Sequence, residues 1–64
     1  MNSEDATKKV LEAHNVLRKH GRDQRSWLED FRRDVNKQAE QCGWYSDARF
    51  NNALLDFEKD LRNL

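Results

Sequence analysis

The sequence contains no proline, a single cysteine and only two glycines among its 64 residues. A lone cysteine cannot form an intramolecular disulfide, and this usage is typical of a reducing compartment. Long apolar runs are also absent, so neither a membrane-spanning helix nor the core of a signal peptide is expected. We therefore expect a cytoplasmic protein without a membrane segment.

Charge of one sign is lacking as well, because twelve Lys and Arg residues balance twelve Asp and Glu residues. No long-range field attracts the chain to nucleic acid or to an anionic membrane. Charged residues make up 38% of the chain and hydrophobic residues 36%, a composition that favours amphipathic helices over strands. The length fits one domain over residues 1–64, and a domain this small is marginally stable, so a partner or a second copy would stabilise it.

The two glycines divide the chain into three nearly equal segments, in each of which apolar residues recur at helical spacing. Gly21 and Gly43 each follow a segment at the place where a left-handed C-terminal cap is expected. We predict helices over most of residues 4–20, 24–42 and 47–62. Two short connections between three helices predict an all-α fold, an up-down-up antiparallel three-helix bundle.

Polar residues indicate where the helices begin. Ser3 is the expected cap of the first helix and Ser46 that of the third. For the second helix the sequence allows two starts, at Asp23, which we prefer, or at Ser26, which has capping-box spacing. The apolar stripes predict a core centred on five residues: Leu17, Phe31, Val35, Phe50 and Phe57.

The residue types that carry chemistry are few. His14, His20 and Cys42 are the only conventional soft or borderline metal ligands, and they lack the closely spaced pairs of zinc sites. A nucleophilic Cys–His pair would have no group to orient its base. The acidic pairs alternate with Lys and Arg at helical spacing, which is typical of a solvated face. We predict no metal, no cofactor, no small-molecule substrate and no enzymatic activity.

A DNA-binding function is the alternative that the sequence leaves open. Ala39, Gly43 and Trp44 are spaced like the small residue, turn glycine and following apolar residue of a helix-turn-helix. The helix that would enter the groove carries more acidic than basic residues, whereas DNA affinity depends largely on neutralising phosphates. The charge of this helix therefore disfavours nucleic acid as a partner. Four arginines form an alternative contact for an anionic ligand: Arg22, Arg25, Arg32 and Arg33.

Some apolar residues fall outside the predicted core stripes. Leu55 lies roughly 140° from the centre of the stripe of the third helix, with Ala48 beside it. Leu11 and Val16 lie on opposite flanks of the stripe of the first helix. A single exposed leucine is ordinary, but four such residues together favour a surface that binds another protein. We expect this partner-binding surface to comprise Leu11, Val16, Ala48 and Leu55.

Residues 21–50 resemble a known group of proteins, the very small accessory proteins of the early left operon, the exo–xis region, of lambdoid phages. The resemblance is carried by four segments: Gly21–Arg22–Asp23, Arg25–Ser26–Trp27, Phe31–Arg32–Arg33–Asp34 and Cys42–Gly43–Trp44–Tyr45. It implies expression inside an infected bacterium and a role in modulating the host cell cycle or the lysis–lysogeny choice, through binding to a host or phage protein. It implies no particular site residues.

Together these observations predict a small non-enzymatic regulatory adaptor that binds another protein, or a second copy of itself as a homodimer, through a helical face. A helix-turn-helix-like DNA-binding regulator is the alternative from a different functional class. A purely structural assembly protein is a third reading.

Overall fold

The computed structural model describes residues 2–64, which are helical along nearly their whole length. The three α-helices are α1 (Ser3–His20), α2 (Arg25–Cys42) and α3 (Ala48–Arg62). Two 3-10 helices, Gly21–Gln24 and Trp44–Ser46, connect them. Residues 2–64 contain no β-strand, and the predicted all-α fold class is confirmed.

The helix starts differ from those predicted by one or two residues. Asn2, rather than Ser3, caps α1, since its Oδ1 accepts the backbone N–H of Asp5 at 2.8 Å. Asp47, rather than Ser46, caps α3 by accepting the N–H groups of Arg49 and Phe50. The hydroxyl of Ser46 instead donates to the carbonyl of Gly43 in the preceding turn.

Neither predicted start of α2 is correct. The helix begins at Arg25, and the preceding Gln24 makes no capping hydrogen bond through its side chain. The 3-10 helix leads directly into α2, and the backbone N–H of Arg25 donates to the carbonyl of Arg22. A backbone carbonyl therefore takes the place that a capping side chain at Asp23 or Ser26 was expected to fill.

Both glycines have positive φ at the C-terminal ends of helices. Gly43 has φ 72° and ψ 26°, the predicted left-handed cap, and its N–H donates to the carbonyl of Ala39. Gly21 has φ 50° and ψ −121°, which lies outside the left-handed helical region. The predicted cap geometry is therefore correct at Gly43 and wrong at Gly21, where the chain enters the 3-10 helix.

The buried core contains apolar residues from all three α-helices and from Trp44. Phe50 and Phe57 are fully buried, and Leu17 and Val35 are also buried, as predicted. Phe31 is only partly buried, because it lies at the edge of the core between α1 and α2. The largest fully buried side chains are Phe50, Phe57, Leu28, Leu54, Leu61 and Val10.

Contacts between side chains join α1 to α3 and α2 to α3. Near the start of both helices, Ser3 of α1 donates to the Asp47 carboxylate that caps α3; further along, His14 of α1 contacts Asp60 of α3. The α2–α3 contact includes the edge-to-face pair of Phe31 and Phe57.

Within residues 2–64, no helix is both long enough and apolar enough to cross a membrane.

Candidate protein-binding face

Two polar contacts hold α1 beside α3 at both ends of their common length. The hydroxyl of Ser3 donates to Oδ2 of Asp47 at 2.7 Å, and Nε2 of His14 lies 2.5 Å from Oδ2 of Asp60. His14 is buried and also packs edge-to-face against Phe57, with ring centroids 6.0 Å apart. These contacts fix the spacing of the two helices and therefore the shape of the surface between them.

Between α1 and α3 the surface forms a groove, which we call the α1–α3 groove. Its first half has a volume of about 670 Å³ and is lined by Ser3, Glu4, Thr7, Lys8, Leu11, Asp47, Ala48 and Arg49. Its second half is lined by Leu11, His14, Asn15, Arg18, Ala53 and Asp56. Leu11 belongs to both halves and is therefore the central apolar side chain of the groove.

The structure separates the four residues predicted to bind a partner. Leu11 is 50% exposed and lines the groove together with the exposed Ala48. Leu55 is 54% exposed but lines neither half of the groove. Val16 is partly buried and packs against the core, so the expectation that it lies outside the core is wrong. Val16 lies on the side of α1 opposite Leu11 and therefore faces away from the groove.

The four arginines do not form one free cationic patch. Arg33 contacts Asp30 at 2.6 Å, and Arg32 lies 3.6 Å from Glu29 and 3.8 Å from Glu58. The exposed Arg22 and Arg25 lie at the turn into α2. Because carboxylates already face two of the four guanidinium groups, the predicted contact for an anionic ligand is reduced to Arg22 and Arg25.

Sequence reasoning missed one exposed aromatic residue. The helical spacing of apolar residues puts Trp27 on the same side of α2 as Phe31 and Val35, yet Trp27 is 50% exposed and stacks on Phe31, with ring centroids 5.8 Å apart. It lies about 100° from Leu28, the fully buried residue of the same turn. The helical wheel did carry this signal, since Trp27 is at the edge of the apolar stripe rather than at its centre.

Two carboxyl groups that join α1 to α3 have lowered pKa values: Asp47, which lines the groove, and Asp60, which contacts His14. The hydrogen bond from His14, followed by the nearby positive charges, lowers the pKa of Asp60 below its usual value of 3.8, while burial opposes this. The hydrogen bond from Ser3 lowers the pKa of Asp47, and the capped N–H groups of α3 add to this effect. Both carboxylates stay ionised at neutral pH and connect α1 to α3.

The residues considered for metal binding or catalysis lie apart. His14 is buried against Asp60, whereas His20 and Cys42 are exposed at the ends of α1 and α2. Among residues 2–64, no group of three or more His, Cys, Asp or Glu side chains is gathered at one place.

No protein-family model, curated protein or solved structure matches this chain. The resemblance to the accessory proteins of lambdoid phages therefore stays a prediction.

Proposed function

We propose that this chain is a small non-enzymatic regulatory protein that binds another protein through the α1–α3 groove. The observation that carries the proposal is the position of Leu11, half exposed at the centre of a groove whose two halves are lined by polar and charged side chains. An apolar centre with a polar surround is the usual anatomy of a protein interface. An amphipathic helix is the partner element that such a groove accommodates.

We also propose the antiparallel up-down-up bundle as the arrangement that presents this groove. The contacts of Ser3 with Asp47 and of His14 with Asp60 support a parallel course of α1 and α3. In such a bundle, the first and third helices run in the same direction and can share one exposed groove. The resemblance noted above supports a cytoplasmic location in an infected bacterium.

A DNA-binding regulator is the weaker proposal, because carboxylates already pair Arg32 and Arg33. Phosphate contacts also lose affinity steeply with added salt, whereas an apolar helical interface does not. The salt dependence of any measured affinity separates the two functions.

The experiment compares Leu11→Lys with Leu55→Lys, two substitutions at leucines of nearly equal exposure, only one of which lines the groove. The immobilised chain captures a partner from a lysate of the bacterial host, and circular dichroism verifies that both variants fold. Burying one leucine stabilises a complex by about 1.5–3 kcal/mol, so Leu11→Lys should weaken capture about ten- to a hundred-fold. Leu55→Lys should leave capture unchanged.

The opposite pattern would overturn the proposal. If Leu55→Lys abolished capture and Leu11→Lys did not, the outer side of α3 would be the binding surface. If neither variant changed capture, the arginines at residues 22 and 25 would be the next candidates.

A further inference from the structure

On α1, two residues of opposite charge line the groove at equal distances from Leu11. Glu4 lies seven residues before Leu11 and Arg18 lies seven residues after it. Seven residues are nearly two turns, so the three side chains lie on one side of α1, with each charge about 10 Å along the axis from Leu11. All three residues are exposed, and each lines the groove.

We propose that the groove binds the same groove of a second copy of this chain, across a two-fold axis that passes beside Leu11. This inference rests on the proposed function and names its partner. A two-fold axis makes two α1 helices antiparallel, so the residue seven before Leu11 meets the residue seven after it in the other copy. Glu4 of each copy then faces Arg18 of the other copy, so one such pair lies at each end of the interface. The two Leu11 side chains meet at the centre.

The other residues of α1 agree with this arrangement. Thr7 and Lys8 face the region of Asn15 in the second copy, and the neutral amide of Asn15 both donates and accepts hydrogen bonds. Within residues 2–64, neither Glu4 nor Arg18 forms a salt bridge in its own chain. Arg18 acts on its own chain only at longer range, as one of the positive charges that lower the pKa of Asp60.

The charges that α3 brings to the groove are mixed. Asp47 and Arg49 line the half that contains Glu4, and Asp56 lines the half that contains Arg18. The two-fold rotation places the first half of one copy over the second half of the other. Arg49 then faces the half that contains Asp56 of the second copy, a pairing of opposite charges. Asp47 faces the same half, but its carboxylate already accepts hydrogen bonds from Ser3 and from the start of α3.

The test exchanges the charges and then mixes the variants. Glu4→Arg alone and Arg18→Glu alone each place like charges at both ends of the interface, so each should weaken self-association by about tenfold in sedimentation equilibrium. An equimolar mixture of the two variants forms opposite pairs at both ends of a heterodimer. Association in the mixture should return to the level of the parent chain, and added salt should reduce this recovery.

Matched controls come from the neighbouring positions on the same helix. Asp5→Arg and Lys19→Glu make the same charge changes in the same end turns of α1 and so disturb the helix dipole equally. Both residues are exposed, and neither lines the groove. These variants should self-associate like the parent, and mixing them should have no effect.

Two outcomes would overturn the inference. One is a parent chain that stays monomeric from micromolar to millimolar concentration, and the other is a mixture that associates no better than its separate variants. If the parent is monomeric while Leu11→Lys still loses a captured protein, the proposed function stands and the second copy is excluded. If Leu11→Lys self-associates as strongly as the parent chain, the second copy does not bind the groove and the inference fails. If Leu11→Lys also captures a partner as well as the parent chain does, the proposed function fails too.

Discussion

Replacing Phe57 with alanine should cost about 3–5 kcal/mol of unfolding free energy. The ring is fully buried and lies between the ring of His14 on α1 and the ring of Phe31 on α2, so its loss leaves a cavity where all three helices meet. This cost is comparable to the total stability expected for a domain of this size. Urea or thermal unfolding followed by circular dichroism measures the effect, and we expect the cooperative transition to be largely lost.

Phe31→Ala provides the comparison within the same aromatic cluster. Phe31 is only partly buried, so its replacement should cost clearly less than that of Phe57, and Leu55→Ala on the exposed side of α3 should change stability little. Equal losses for the two phenylalanines would show that the core does not centre on Phe57.

Replacing Asp60 with alanine should destabilise the fold through its effect on His14. The imidazole of His14 is buried, and the Asp60 carboxylate is its hydrogen-bonding partner across the α1–α3 contact. Leaving a buried polar nitrogen without a partner costs about 1–3 kcal/mol. Asp56→Ala is the matched control, because this exposed aspartate lies one turn earlier on the same helix and forms no described salt bridge.

The same carboxylate makes stability depend on pH in a defined direction. Because the hydrogen bond from His14 lowers the pKa of Asp60 in the folded chain, its contribution is complete above the unfolded value of 3.8 and is lost as the pH falls through the lower folded pKa. Unfolding measured from neutral pH down to strong acid should show this loss in the parent. The Asp60→Ala variant should show a smaller loss, since Asp47 still contributes; an identical profile would contradict the contact.

The sequence predicted the helices well because the apolar spacing and the two glycines are local features. The helix starts were less predictable, because neighbouring polar side chains compete to cap a helix and their orientations decide which one does. The hydroxyl of Ser46 bonds to Gly43 and leaves the start of α3 to Asp47. The 3-10 helix before α2 continues directly into the α-helix, so no capping side chain is needed there. Helix propensities alone do not predict such a continuation.

Part of the candidate site was also predictable. Helical angles correctly placed Leu11 and Leu55 outside the core, since both are about half exposed. The same angles could not show that α3 approaches the Leu11 side of α1, nor that Val16 on the opposite flank packs against the core. That distinction depends on tertiary contacts such as the pair of His14 and Asp60, which join residues far apart in the sequence.

The most direct test of the α1–α3 groove as a protein interface is a series of amide NMR spectra of the isotopically labelled chain, recorded from micromolar to millimolar concentration. We expect concentration-dependent shifts at the groove residues on both helices, led by Glu4, Leu11, Arg18 and Ala48, with Leu55 and Trp27 unchanged. Shifts centred on Leu55 or Trp27 would contradict a binding role for the groove. The same conclusion would follow if no shifts appeared at any concentration or on addition of a captured partner.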